Sequence, residues 1–465
     1  MKPNPLRLAV LAAALVLAGC ATNLAPTYEV PAVETPIAFK EGNGVWEPAR
    51  PADTLERGPW WELFDDPVLN DLASRVEVSN QNVAAAVAAY AQARAITAEQ
   101  RASLFPRVSL DTSGNRSGSG DGPSRGSYQV GIGASWEPDV FGRLRLGVQN
   151  ARLGEEASSA DLAAAKLAAQ GELAVNYFGL REMDIQRAMQ AETLAAYRRS
   201  LEIATNRYNV GVVARTDMLQ AESQVANAQA ELLTLERQRA QLEHAIAVLI
   251  GRAPSNFSLP PDPKVALKTP AIPPEVPSTI LQRRPDIAGA ERRVQQANAR
   301  IGIARAGFYP SIRLSGTVGL AAASFGDLFS ASALVWSIGA SLAQTLFDAG
   351  ATRAQVQQSR AALEETSARY RQTVLTAFQD VENQLVALRV LEQQQSLRQR
   401  AWQASELVEQ QVMNRYRAGQ VGYTEVVTAQ VSAANARRAY IQAQIDRQIA
   451  SVSLIQSLGG GWRGI

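Results

Sequence analysis

The feature that most constrains this chain is a segment that occurs twice. Residues 206–228 read NRYNVGVVARTDMLQAESQVANA and residues 414–436 read NRYRAGQVGYTEVVTAQVSAANA, an ungapped match at an offset of 208 residues. Each copy lies between two long segments typical of helices, and its glycine supplies the backbone freedom that a tight reversal needs. The sequence therefore predicts a helical hairpin built twice by internal duplication.

Polar residues predict how the returning helix of each hairpin begins. Thr216 and Thr424 are candidate N-caps, because a hydroxyl can accept a hydrogen bond from the unpaired N–H groups of the first turn. Asp217 and Glu425 follow in that turn, where the helix dipole favours a negative charge.

The composition excludes several classes of function. A formal net charge of +2 over 465 residues gives no strong field that would favour nucleic acid. One cysteine and one histidine are too few for a disulfide framework, a metal cluster or a histidine-based triad. The acidic pairs Asp65-Asp66 and Glu364-Glu365 are typical of helix starts and solvated faces. We therefore predict no catalytic, cofactor or metal site.

The amino terminus has the pattern of a secretory signal. An apolar run too short to span a membrane ends at Leu17-Ala18-Gly19-Cys20. This ending resembles the bacterial lipobox, which implies a lipoprotein signal peptide at residues 1–19 and acylation of Cys20, palmitate included; the alternative is an ordinary signal with an incidental cysteine. Residues 20–66 are rich in proline and predict an extended arm. Aromatic side chains can pin this arm to a surface: Trp46, Trp60, Trp61 and Phe64.

The hydrophobic period changes from 3.6 to 2 at about residues 107–137 and again at about 311–344. One face is apolar and the other small or polar, as in transmembrane strands with lipid outside and water inside. A half-buried strand of a soluble sheet shows the same alternation. The predicted strands are 107–113, 128–137, 311–320 and 334–344.

Four membrane strands cannot close into a barrel, because about eight is the observed minimum and an open edge leaves backbone groups unpaired in lipid. If the strands lie in a membrane, several chains must share one barrel. The long helices of each repeat, ~95 Å by the rise of an α-helix, then form a shared tube. We predict a mixed, mainly α fold with an elongated architecture.

The predicted organisation follows the duplication. The first repeat covers residues 67–250 with its hairpin tip near 206–216, and the second covers 283–458 with its tip near 414–424. The proline-rich segment 251–282 is the linker between them. Residues 459–465 form the carboxyl-terminal tail.

Short motifs resemble the TolC-type outer membrane efflux channels, specifically the acylated OprM/NodT-like branch. They follow the family's order over nearly the whole mature chain. The motifs are the lipobox, Pro59-Trp60-Trp61 with Phe64-Asp65-Asp66-Pro67, Trp136-Glu137-Pro138-Asp139-Val140-Phe141-Gly142-Arg143, Arg283-Arg284-Pro285-Asp286-Ile287, Leu346-Phe347-Asp348-Ala349-Gly350 and Asp380-Val381-Glu382-Asn383.

The resemblance implies a homotrimer with a shared twelve-stranded barrel in outer membrane lipid and a twelve-helix periplasmic barrel of coiled-coil helices. It implies an equatorial region made by the termini and the linker. It also implies a periplasmic adaptor, the membrane fusion protein, and an inner-membrane pump, commonly of the resistance-nodulation-division type. The expected function is passive: a lipid-anchored efflux channel for small molecules such as drugs, whose substrate the pump selects.

Two other functions stay open. A type I protein-secretion conduit uses the same architecture, and acylation together with the branch resemblance favours efflux over it. A coiled-coil scaffold lipoprotein has no use for alternating membrane strands.

The resemblance places the adaptor contacts at the two tips. The alternative is that the two glycines serve only as helix stops. The expected contact residues are Val210, Gly211, Val212, Ala418, Gly419 and Gln420.

The resemblance also places a gate on the returning helix of the second tip, where this chain departs from its relatives. The branch usually carries an apolar residue, then Asp, then Arg; here these positions are Thr424, Thr428 and Val431. Neither an apolar plug nor an acidic ring can form from threonines. Glu425, or Asp217 of the first repeat, can turn partly inward and supply acidity.

Overall fold

A computed structural model describes residues 24–36, 38–41, 58–118, 120, 124–270 and 284–460. The predicted signal peptide, Cys20, Trp46, part of the linker and the last five residues lie outside them. The helices are α1 (Pro67–Ser79), α2 (Gln81–Ala102), α3 (Arg143–Asn209), α4 (Arg215–Leu249), α5 (Pro285–Ala306), α6 (Ala351–Arg417) and α7 (Tyr423–Ser457). The strands are β1 (Arg107–Ser117), β2 (Arg125–Trp136), β3 (Ser311–Ala322) and β4 (Leu334–Ala343).

The duplication extends to the lengths of the helices. The helices α3 and α6 each have 67 residues, α4 and α7 each have 35, and α2 and α5 each have 22. Among the described residues, no helix is both long enough and apolar enough to cross a lipid bilayer. The prediction of a mainly helical, internally duplicated chain with four strands is confirmed.

The chain divides into two compact units. The first holds the described residues up to Val33, together with Ala88–Ala160 and Gly289–Gln372. It contains one antiparallel sheet in the order β1-β2-β3-β4. The first hairpin is longer than its sequence pattern predicts, because the ladder continues past the apolar alternation to the pair Ser117 and Arg125. Backbone pairing does not require apolar side chains.

The second unit holds the described residues within Glu34–Val87, Asp161–Ala288 and the chain from Thr373 onward. Its core joins aromatic and aliphatic side chains of α1, α3, α4 and α7. The predicted extended arm ends differently from expectation, since Trp60–Phe64 is a short 3-10 helix whose Trp60 is 1% exposed. Burial of these rings in the core outweighs the extended preference of the neighbouring prolines. Asp66 then caps α1 by accepting from Val68 N at 2.9 Å.

The rest of the described arm has no helix or strand and is held through its backbone. In the first unit, Asn298 Nδ2 of α5 donates to Pro26 O at 2.8 Å and Arg305 Nη1 donates to Leu24 O at 3.1 Å. In the second unit, Glu382 of α6 accepts from Lys40 N at 2.7 Å. These bonds satisfy backbone groups that an extended segment cannot pair by itself.

The predicted N-caps are wrong in both repeats. The helices α4 and α7 begin earlier than expected, after Ala214 and Gly422, and neither cap position has a side-chain hydrogen bond. In α7 the first residue is Tyr423, whose ring is buried against Tyr416, and this packing places Thr424 inside the first turn. The predicted first-turn acids, Asp217 and Glu425, are where the sequence places them.

Candidate membrane sheet and hairpin tips

The register of the four strands puts all the predicted apolar positions on one face. Antiparallel partners share a face, and Ile132 pairs with Leu110 on one side and with Val318 on the other. Val318 in turn pairs with Trp336. The opposite face carries only small, polar or charged side chains along β2, where the sequence is Gln129, Gly131, Gly133 and Ser135.

The apolar face of the sheet is uncovered. Ile338 is 85% exposed and Trp336 is 75% exposed. The sheet also has two edge strands, β1 and β4, whose outer sides have no partner among the described residues. An exposed apolar face combined with unpaired edges is unstable in water and suits a sheet that continues through other copies inside lipid.

Aromatic side chains stand at both ends of the sheet. At the loop end, Tyr128 packs edge-on against Phe325 with ring centroids 6.0 Å apart. At the helix end, Trp136 Nε1 donates to Leu104 O at 2.9 Å, and Phe347 is 87% exposed. Aromatic girdles at the two water interfaces are characteristic of transmembrane strands. The sheet therefore has the features of a wall segment of a membrane channel.

The family-like motifs after each hairpin start the long helices. Asp139 accepts from Leu144 N at 2.9 Å and Arg145 N at 2.8 Å at the start of α3. Asp348 does the same for Thr352 N at 2.8 Å at the start of α6 and also accepts from Thr352 Oγ1 at 2.6 Å. The hydroxyl bond first, and then the backbone bonds from Thr352 and Gly350, lower the pKa of its carboxyl group. Each Asp therefore accepts hydrogen bonds from first-turn N–H groups that have no acceptor within the helix, at the point where a strand leads into a helix.

The two hairpin tips have the same backbone hydrogen bonds. Gly211 N donates to Tyr208 O and Val212 N to Arg207 O, each at 2.9 Å. The repeat-equivalent bonds in the second tip, from Gly419 N and from Gln420 N, are also 2.9 Å long. This pattern is the Schellman motif, which requires a left-handed residue at the glycine position. Gly211 has φ +77° and Gly419 has φ +74°, so a glycine is needed at both positions.

The side chains on the two tips differ. Val210 is 73% exposed and Val212 is 62% exposed, whereas the corresponding residues of the second tip are Ala418 and Gln420. The six predicted contact residues are all exposed and cluster at the two turns.

We expect Gly419→Ala to destabilise the second tip, because a Cβ in the left-handed region costs roughly 1–2 kcal/mol. Backbone hydrogen exchange of the tip amides should then be about ten-fold faster, since that free energy is near a factor of ten. Gly422→Ala is the matched control: φ is −77° there and nothing lies within 4 Å of an added Cβ. Equal exchange in the two variants would contradict the expectation.

The predicted gate residues share one exposed stripe of α7. Thr424, Thr428 and Val431 follow at helical spacing, and all three are exposed while Val426 and Val427 between them are buried. Thr428 Oγ1 donates to Thr424 O at 2.9 Å, so its hydroxyl hydrogen is used within the helix. Glu425 is exposed beside this stripe, and Asp217 is half-buried near Tyr423. The structure brings the predicted gate residues to one region of the second unit.

The sequence did not reveal what holds the tips together. Tyr423 and Tyr416 pack with ring centroids 5.6 Å apart in a small core at the base of the second turn. Burial, and next the neighbouring Tyr416, raises the pKa of Tyr423 to about 12, so its hydroxyl stays neutral at physiological pH. Arg207 of the first tip lies over the Tyr416 ring, with its guanidinium carbon 4.8 Å from the centroid.

A buried ionic network, also unseen in the sequence, ties the linker to the first hairpin. Asp184 is fully buried and accepts from Arg181 Nη1 at 2.9 Å, Arg239 Nε at 2.6 Å and Asp262 N at 3.0 Å. Arg181 also donates to Pro260 O at 3.0 Å. The network fixes the start of the linker through its backbone.

The second repeat places charged residues at the same positions, 208 residues later. Arg447 Nη2 pairs with Glu392 Oε1 at 2.9 Å, which corresponds to the pair of Arg239 and Asp184. Arg389, the equivalent of Arg181, pairs with Glu41 of the amino-terminal arm. The same set of positions therefore holds the linker in the first repeat and the amino-terminal arm in the second repeat.

This combination of an uncovered, two-faced antiparallel sheet and duplicated long helical hairpins defines a class of channel-forming outer membrane proteins. The sequence model of the family described as "Outer membrane efflux protein" matches residues 72–252 and again residues 276–460. The chain belongs to this family, and its location is the bacterial outer membrane.

Relatives agree along the whole length. The chain is 31% identical over 467 residues to the toluene efflux pump outer membrane protein TtgC of Pseudomonas putida, covering 98% of this chain and 95% of the relative. It is 29% identical to the cation efflux system protein CusC of Escherichia coli, covering 99% of this chain and all of CusC (100%).

Among solved structures, the open state of the MtrE outer membrane channel of Neisseria gonorrhoeae superposes with a TM-score of 0.84 at 31% identity. The match covers 94% of this chain and 98% of MtrE. These matches favour neither the secretion conduit nor the scaffold.

Proposed function

We propose that three copies of this chain form the outer membrane channel of a tripartite efflux system, a passive conduit for small molecules delivered by an inner-membrane pump and a periplasmic adaptor. The observation that carries the proposal is the register of the sheet. It collects the apolar side chains of all four strands on one uncovered face and leaves β1 and β4 as edges. Pairing of β4 in one copy with β1 in the next closes a twelve-stranded barrel and satisfies every edge.

The number three comes from the family resemblance, and the sheet requires only that copies share the barrel. The mass of the detergent-solubilised native complex tests it: a trimer supports the proposal, and a stable folded monomer contradicts it. Insertion of the same sample into planar bilayers should give discrete conductance steps. The intact mass of the purified chain tests the proposed acylation of Cys20, and an unmodified amino terminus would exclude it.

The tips are the proposed docking surface for the adaptor, a membrane fusion protein whose pump is of the resistance-nodulation-division type. Val210 and Val212 are 73% and 62% exposed at the end of the hairpin, so their apolar side chains are available for favourable burial against a partner.

We expect Val212→Asp to abolish resistance to efflux substrates in a host that carries the cognate pump genes, because a buried unpaired carboxylate opposes docking. Val212→Thr, which keeps the shape, should retain most of it. In-cell crosslinking from Gln420 to the adaptor provides the direct readout. Full resistance in Val212→Asp, together with no crosslinking from Gln420 in the wild type, would place the docking surface elsewhere.

The proposed gate is a neutral constriction made by Thr424, Thr428 and Val431. Hydroxyls carry no charge, and that of Thr428 already donates to its own helix, so the rings offer weak ligands to divalent cations.

We expect single-channel conductance in planar bilayers to respond weakly to added Mg²⁺, with residual block from Glu425 or Asp217. Thr428→Asp should lower the Mg²⁺ concentration for half block by roughly ten-fold, because three carboxylates then meet. Asparagine has nearly the shape of aspartate without its charge, so Thr428→Asn should behave like the wild type. Strong block that survives Glu425→Ala and Asp217→Ala but vanishes in Thr428→Ala would show that the threonine hydroxyls bind the cation strongly, and would refute the proposal of a weakly binding, neutral constriction.

A further inference from the structure

One contact joins the two hairpin tips within the chain. Arg207 of the first tip lies over the ring of Tyr416 in the second, and its Nη1 donates to Tyr416 O at 3.1 Å. The same carbonyl accepts from Gly419 N at 2.9 Å, so both of its lone pairs are used. An arginine at this place is doubly favourable, since the aromatic face attracts its charge and the carbonyl lies at the negative end of α6.

The duplication repeats the components of this contact, with a different outcome. Arg415 is the equivalent of Arg207, and Tyr208 is the equivalent of Tyr416, each at the offset of 208 residues. Arg415 is exposed, and its side chain has no hydrogen bond, ion pair or ring contact among the described residues. Tyr208 is 38% exposed, whereas Tyr416 is 2% exposed.

The carbonyl oxygen of Tyr208, the equivalent of Tyr416 O, also has one lone pair without a donor among the described residues. Tyr208 O accepts from Gly211 N at 2.9 Å, as Tyr416 O does from Gly419 N, but within the described chain no arginine donates to it. Because the two tips have the same Schellman bonds and the helices have the same lengths, Arg415 stands on its hairpin as Arg207 stands on the first. Within the described part of the chain, Arg415 therefore lacks a neighbouring first-repeat hairpin that would present Tyr208 to it.

We propose that Arg415 of one copy lies over the Tyr208 ring of the next copy and donates to Tyr208 O. This inference rests on the trimer proposed above. In a closed ring of alternating hairpins, the neighbour relation of the first tip to the second recurs from the second tip to the first tip of the following chain. Six arginine–tyrosine contacts then join the six tips, three within chains and three between them. The three between chains form a latch that must part when the tips separate.

Crosslinking tests the neighbour relation directly. Tyr208→Cys with Arg415→Cys, treated in membranes with a short bifunctional maleimide, should give covalent dimers and trimers on a denaturing gel. Arg207→Cys with Tyr416→Cys is the matched control and should give only a chain crosslinked to itself. Each single cysteine variant controls for the native Cys20 and should stay monomeric on the gel.

The outcomes separate this inference from the proposed trimer. A native trimer whose 208/415 pair crosslinks only within a chain, or not at all while the 207/416 pair reacts, overturns the latch and leaves the channel proposal intact. A native mass below a trimer overturns both.

The chemistry of the latch is tested by conductance without added salt gradients or partners. Tyr208→Phe keeps the aromatic face and should keep the resting conductance of the wild type, while Tyr208→Leu should raise it several-fold. Arg415→Lys should raise it as well, because a lysine cannot both stack flat on the ring and donate to the carbonyl. Equal resting conductance in Tyr208→Phe and Tyr208→Leu would show that the ring face is not used.

Discussion

Replacing Asp184 by alanine is expected to lower the free energy of unfolding of the second unit by about 3–5 kcal/mol, because removing the shared carboxylate of a buried ionic network leaves two buried arginines with too little compensating charge. Arg181 and Arg239 are 2% and 9% exposed at the side chain. In this variant Arg181 loses its carboxylate partner and keeps only the neutral acceptors Tyr177 and Pro260, and Arg239 keeps only the longer pair with Glu243 at 3.3 Å and the carbonyl of Leu259. The linker amide of Asp262 loses its acceptor too.

The duplication provides the control. Glu392 occupies the equivalent position, but its side chain is 66% exposed where it pairs with Arg447. Glu392→Ala should therefore cost less than about 1 kcal/mol. Urea unfolding in detergent, followed by tryptophan fluorescence, reports on this unit through Trp60 and Trp61 in its core. If the two variants unfold at the same urea concentration, burial does not determine the strength of these pairs.

Ile338→Arg is expected to destabilise the assembled barrel by about 2–4 kcal/mol, the cost of an arginine facing lipid at the middle of a membrane strand. Ile338 lies near the centre of β4 on the apolar face and is 85% exposed. Gly339→Arg puts the same charge on the opposite face, where an added Cβ meets only Ser315 Oγ at 3.3 Å and that hydroxyl can rotate away.

Unfolding of the two variants from lipid vesicles by denaturant, with conductance measured in parallel, distinguishes the faces. The Ile338 variant should lose stability and keep the conductance of whatever assembles, and the Gly339 variant should keep stability and change ion selectivity. Gly131 is a poorer control position, because its added Cβ approaches Val318 O of the neighbouring strand at 3.3 Å. A stable Ile338→Arg protein with altered selectivity would mean that the faces are assigned the wrong way round.

Sequence periodicity predicted most of the fold. An ungapped offset implies equal helices, and α3 and α6 do have equal lengths. Strict alternation implies one face per strand, and the register of β2 with β3 brings those faces together. Both rules are local, and local rules suffice where the pattern is long and strong.

Contacts between distant segments were beyond these rules. Asp184 and Arg239 look like ordinary solvated charges on a helix, and only the covering linker makes them a buried pair. Likewise the duplicated pattern treats Arg207 and Arg415 alike, whereas a single chain can satisfy only one of them. The misplaced N-cap of α7 has the same origin, since packing of Tyr423 set the helix start in preference to the capping propensity of Thr424.

The two tips have the same backbone conformation but different exposed side chains, and this difference has a consequence for the stoichiometry of a docking partner. In the proposed trimer, a docking partner built of identical subunits would meet the apolar pair Val210 and Val212 in alternation with the small and polar pair Ala418 and Gln420. Identical subunits cannot match both kinds equally well. Titration of such a partner should therefore show two classes of affinity, with the number of tight sites equal to the number of channel chains rather than the number of tips.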